Sequence, residues 1–219
     1  MSNPTTISPR ARVAAAALAC VAWAGGLLQL YLSLSLALAG GKGVVVGVAI
    51  YLGYFTVLTN LLVAVALTWP LLAPGSAPAK FFSRPAVLSG VATSIVFVGL
   101  SYHFLLRHVW NPQGLQLFAD VLLHYAVPLL CALHWWAFVP KTELRWTDAL
   151  RWCAYPIAYF ASVLARGALF GSYPYHLINV HTLGWRQTLA NAGGLLLAFV
   201  LLGLMLIAIG RGRIRQTNQ

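Results

Sequence analysis

Acidic residues are almost missing from this chain. Its 219 residues include only three, Asp120, Glu143 and Asp148. Charged residues of both signs make up 8% of the sequence, against about 25% in an ordinary soluble domain, which excludes a soluble globular fold. The three cysteines, Cys20, Cys131 and Cys153, are isolated from one another. They have neither the paired spacing of a zinc site nor the density of a disulfide framework, so no metal and no cofactor is expected. There is no internal repeat, which argues against transporter folds built from two related halves. A cleavable signal peptide would have a short apolar core, whereas the first apolar run continues from Val13 to Ala39. It reads as a retained first helix.

What is present is hydrocarbon: 60% of the residues are hydrophobic and the mean hydropathy is +0.80. At about 20 residues per membrane-crossing helix, the chain accommodates six spans, near residues 12–39, 44–72, 86–106, 115–138, 148–170 and 185–209. The expected fold is all-α, a polytopic membrane protein whose single six-helix transmembrane domain covers 1–219. Turn signals separate the spans: Gly40-Gly41-Lys42-Gly43, a loop rich in Pro, Gly and Ser over 73–85, and Asn111-Pro112-Gln113-Gly114. Thr147 is the expected N-cap of the fifth span, and the tail Met1–Pro9 is polar and expected to be mobile.

Six crossings put both termini on one side. Arg10, Arg12, Lys80, Arg84, Lys141, Arg145, Arg151, Arg211, Arg213 and Arg215 fall on that side, leaving four of the fourteen basic residues on the other. The positive-inside rule then makes both termini cytoplasmic. The basic residues lie at the ends of apolar runs and form no stripe, so the net charge of +11 points to lipid headgroups and away from nucleic acid.

Polar residues inside the spans are the functional signal, because they are costly in hydrocarbon and face a bundle interior or a cavity. Asp120, His124 and Pro128 recur at i, i+4 spacing, on one helix face. Pro128 cannot donate to the carbonyl of His124 and is expected to distort the helix there. Counted at 1.5 Å per residue, Thr56 lies about 18 Å and His124 about 14 Å below the outer ends of their helices, and Asn60 is one turn deeper than Thr56. Ser101, His103, Tyr159, Arg166, Tyr173 and Asn191 are the further candidates for lining a cavity in the outer half of the membrane.

Thr56, His124 and Asp120 are the residue types of a nucleophile, its base and the group that orients the base. Alternatives stand beside each role. A membrane threonine commonly bonds back to its own i−4 carbonyl, and His124 with Asp120 can be an ordinary interhelical hydrogen bond. Asp120 can instead cap a helix end or pair with Arg166, leaving Asn60 or the His124 carbonyl to hold the imidazole. Asn60, Tyr159 and Asn191 are candidate oxyanion donors by side-chain type. Haem ligation by His103 and His124 lacks a second histidine pair at matching depth.

Tyr54-Phe55-Thr56 on the second span, His124 with Pro128 on the fourth, and Tyr173-Pro174-Tyr175 before the sixth together resemble the bacterial Pr6Pr membrane proteins, and through them the eukaryotic androgen-induced AIG1/FAR-17a family. The resemblance runs from the first span to the sixth. It implies a threonine hydrolase of fatty acid esters of hydroxy fatty acids, with Thr56 and His124 as the essential pair, in a bacterial inner membrane. The pattern departs from the family's at Tyr125, where a Thr follows the His, and in a His-to-Pro spacing one residue shorter. The expected function is hydrolysis of a lipid ester, with membrane lipids and the ester as partners. The alternative is a protein that binds or transports a lipid or small molecule in the same cavity without chemistry.

Overall fold

The computed structural model describes residues 8–217, and side chains to 212. The expected tail, as far as Ile7, lies outside the described residues, as do the side chains of Arg213 and Arg215. All regular structure among the described residues is helical, and six helices are long and apolar enough to cross a membrane. In chain order the helices are α1 (Pro9–Ala39), α2 (Val44–Tyr51), α3 (Phe55–Leu72), α4 (Ala77–Phe82), α5 (Pro85–Leu106), α6 (Gly114–Phe138), α7 (Asp148–Phe170) and α8 (Val180–Thr217). The short α2 and α4 are not among the six.

Local chemistry sets several of these boundaries. Ser8 caps α1, its hydroxyl accepting from the Ala11 N–H at 3.2 Å, with Pro9 in the first turn where no donor is needed. At the far end of α6, Lys141 is 7% exposed and its ammonium donates to the carbonyls of Trp135, Trp136 and Val139. It holds the last carbonyls of that helix, so it is more than a topology signal. Thr147 stands at the N-cap of α7 but makes no side-chain cap bond; Asp148, in the first turn, instead ties the preceding turn to the helix, its Oδ2 accepting from the Arg145 N–H at 2.9 Å and its Oδ1 from Arg151 at 3.0 Å. Gly184, at φ 71° and ψ 165°, is non-helical and divides α8 just before Trp185.

The main correction concerns the second span. It is not continuous over 44–72: Leu52-Gly53-Tyr54 interrupts it, and α3 starts afresh at Phe55. Non-helical backbone within an apolar segment needs partners from elsewhere, and α7 provides them. Arg166 donates to the Ala49 carbonyl at 2.9 Å and the Tyr159 hydroxyl to the Gly53 carbonyl at 2.8 Å. A Cβ on Gly53 would collide with the Arg166 guanidinium, which explains the glycine.

The bundle core lies among α1, α3, α5 and α6, where Ala22, Val63, Ala64, Ile95 and Val127 are wholly buried. Without a hydrophobic driving force between helices in lipid, small and β-branched residues such as these hold helices by close packing. α7 and the Trp185 end of α8 sit at the edge, and a cavity opens beside them.

Candidate functional site

Two polar clusters form in this frame. The first is built around α6. Its helix widens to a π-turn over Leu122–Ala126, with the Val127 N–H reaching back five residues to the Leu122 carbonyl, immediately before Pro128. The expected distortion beside His124 is therefore present, as a π-turn. A second π-turn, Tyr102–Leu106, ends α5 next to it, and nothing in the sequence announced it.

His124 Nδ1 lies 3.2 Å from Asp120 Oδ1 and 3.1 Å from the Asp120 carbonyl. The Tyr102 hydroxyl donates to Asp120 Oδ2 at 2.7 Å, and its ring stacks on the imidazole with centroids 3.8 Å apart. Asp120 thus lies beside the His124 ring, which bonds to its backbone carbonyl, while Oδ1 itself makes no hydrogen bond. It neither caps a helix end nor pairs with Arg166, whose guanidinium is held at Ala49 and Ser172. Tyr102, which sequence reasoning missed, completes this cluster from α5. The two helices meet closely because position 99 is glycine: a Cβ there would sit 3.1 Å from the His124 carbonyl and 3.0 Å from Pro128 Cβ.

The second cluster is at the start of α3. Thr56 does not bond back to an i−4 carbonyl, since residue 52 lies in the break. Thr59 does, donating to the Phe55 carbonyl at 2.7 Å. Freed of that bond, the Thr56 hydroxyl faces the hydroxyl of Tyr175 at 3.5 Å, and the Thr56 N–H points at the same tyrosine oxygen at 3.4 Å. Tyr175 comes from the loop before α8. The motif Tyr173-Pro174-Tyr175 was visible, but the chosen member was wrong: Tyr173 packs against His181, and Tyr175 is the one at Thr56.

Thr56 and Tyr175 share the wall of a cavity of about 320 Å³ with Ser101, Tyr159 and an otherwise apolar lining. The loop residues Tyr175, Leu177 and Ile178 line one part, and Phe97 and Phe199, edge to face at 5.4 Å, another. Ile157 and Leu189 are half exposed at its margin, between α7 and α8. Of the six candidates for the lining, Ser101 and Tyr159 belong to it, whereas His103, Arg166, Tyr173 and Asn191 do not. His103 contacts Arg107 and Tyr125 at the C-terminal end of α5. Asn191 donates to the Leu177 carbonyl at 2.8 Å and so anchors the loop above the cavity.

The expected dyad is not closed. Thr56 and His124 share no hydrogen bond, and His124 is not part of the cavity wall. What joins the two clusters is Asn60. Its Nδ2 donates to the Thr56 carbonyl at 2.8 Å and to the Leu123 carbonyl at 3.1 Å, so Thr56 and the π-turn carrying His124 lie side by side at one level. The same two bonds take Asn60 out of the pool of oxyanion donors. Tyr159, whose one proton goes to Gly53, leaves it likewise, and Asn191 lies off the cavity wall.

Comparison with family models, with curated proteins and with solved structures finds no match to this chain, so the two clusters and the cavity are what its function is argued from.

Proposed function

We propose that the chain binds the acyl group of a lipid in the cavity beside α7 and α8, with the Thr56 and Tyr175 hydroxyls at the polar end of the ligand. The observation that carries this reading is the make-up of the wall: Thr56, Ser101, Tyr159 and Tyr175 set into hydrocarbon, with Ile157 and Leu189 half exposed toward the lipid-facing side. A concave apolar site with a few convergent polar groups is the usual form of a small-molecule pocket, and an opening between membrane helices suits a ligand that arrives from the bilayer.

A second reading, hydrolysis of a fatty acyl ester, is favoured by one specific observation, the Asp120–His124 pair one amide away from Thr56. In it, the Thr56 oxygen attacks the ester carbonyl while His124 takes its proton and then returns it to the departing alcohol oxygen. Water resolves the acyl-threonine with His124 again as base. The reaction requires the imidazole to leave the Tyr102 ring and turn toward Thr56. Catalytic hydrogen bonds often tighten only with substrate bound. The resemblance to the Pr6Pr and AIG1/FAR-17a proteins supports the same reading, and with it a bacterial inner membrane.

Native mass spectrometry of the purified protein, together with a fluorophosphonate probe and a panel of fatty acyl esters, separates the two. A retained acyl lipid without turnover supports binding alone. Turnover lost in Thr56→Ala and in His124→Ala, with helical content unchanged, supports hydrolysis. Neither lipid nor turnover removes both readings.

A further inference from the structure

We infer that the cavity selects an uncharged acyl ligand, one presenting a carbonyl rather than a carboxylate, and that Tyr175 donates the hydrogen bond that recognises it. This rests on the binding reading above and adds the ligand's class and the residue that reads it.

The first observation is electrostatic. Not one residue of the cavity lining is Asp, Glu, Lys, Arg or His. Arg166, which packs against Gly53 behind Tyr159, is not part of the lining, and its guanidinium is engaged by the Ala49 carbonyl and Ser172. Asp120 and His124 form their own cluster outside the wall. An ionised carboxylate entering this site would lose its hydration and find no counter-charge, the costliest form of polar burial. The first turn of α3 offers only a partial positive charge, about half an elementary charge, enough to polarise a carbonyl and short of neutralising an anion.

The second observation is an inventory of donors. The Tyr159 proton is committed to the Gly53 carbonyl at 2.8 Å. Asn60 and Asn191 donate to backbone carbonyls. Tyr175 differs: its oxygen faces the Thr56 N–H, and its own proton has only the long 3.5 Å approach to Thr56 Oγ1 to hold it. A neutral hydroxyl aimed along a cavity wall beside a helix start matches an ester or amide carbonyl, which accepts and carries no charge. Of the other wall hydroxyls, Thr56 shares the 3.5 Å approach with Tyr175, in which either can be the donor, and Ser101 comes from α5.

Three photoactivatable probes of equal chain length test this in phosphatidylcholine proteoliposomes: a fatty acid methyl ester, the matching carboxylate at a pH where it is ionised, and the matching alkane. Labelling is read by mass spectrometry on the peptide carrying Leu189–Phe199. The ester labels it, and the carboxylate labels it about tenfold less. Tyr175→Phe lowers ester labelling about fivefold, the loss of one hydrogen bond, and leaves alkane labelling unchanged, which also reports an intact cavity. Equal or stronger labelling by the carboxylate overturns the inference, as does a Tyr175→Phe protein that loses ester and alkane alike. No labelling by any probe overturns the binding reading as well, whereas labelling without preference overturns only the selectivity.

Discussion

Asp120 is 3% exposed, and both its carboxylate oxygens have neighbours, Tyr102 on one and His124 on the other. A buried polar oxygen is costly unless it is hydrogen-bonded. Tyr102→Phe removes a 2.7 Å donor and leaves Oδ2 bare, at an expected cost of about 1–3 kcal/mol. A lowered thermal midpoint of the detergent-purified protein checks it, and an unchanged midpoint would show that the contact contributes nothing. Tyr175 carries a prediction of the opposite kind. It lies in a loop outside the spans, and burial pushes the pKa of its hydroxyl up, against the smaller lowering from its contacts with Thr56. A raised pKa keeps the neutral, donating form populated further into alkaline solution. Ester labelling that depends on Tyr175 should therefore stay flat from mildly acid to mildly alkaline pH, and a fall near neutrality would contradict this.

At the scale of elements, the broken second span is the feature with most leverage. Its freed carbonyls are satisfied by Arg166 and Tyr159, both on α7. Arg166→Met keeps an unbranched apolar stem and removes the donor, so the Ala49 carbonyl loses its partner at an expected cost of about 1–3 kcal/mol. Gly53→Ala drives the guanidinium from its seat and is expected to be at least as damaging. Both are read as thermal midpoints beside the parent protein, and a Gly53→Ala protein as stable as the parent would refute the packing argument. Gly99→Ala tests the other close approach. It forces α5 away from the π-turn of α6 and is expected to weaken ester labelling and any turnover, because Ser101 and Tyr102 move with that helix.

For the whole molecule, six crossings place the starts of α1 and the end of α8 on one face of the membrane. The positive-inside rule predicts that this face is the cytoplasmic one. Reporter fusions at the C-terminus and within Asn111–Gly114 should report opposite sides, and agreement between them would overturn the crossing count. The spans were legible because hydropathy is a sum over many residues and tolerates local error. The Asp120–His124 pair was legible because i, i+4 spacing is a property of one helix. Tyr175 against Thr56 and Asn60 against Leu123 were not, since such contacts depend on how different helices are rotated toward each other. The break at Leu52-Gly53-Tyr54 escaped for a related reason: an apolar window passes over it, and the residues that stabilise it lie more than a hundred positions away.

That separation bears on the order in which the chain is made. Arg166 and Tyr159 stand 117 and 106 positions beyond the carbonyls they satisfy. A ribosome that has finished α6 has delivered α2 and α3 without either donor, so the break waits in the bilayer, or beside the insertion machinery, until α7 arrives. The fifth crossing is thus a late locking piece. Chains stopped after Phe138 should hold an unsettled second span open to proteases and quality control, and chains extended through Phe170 should not.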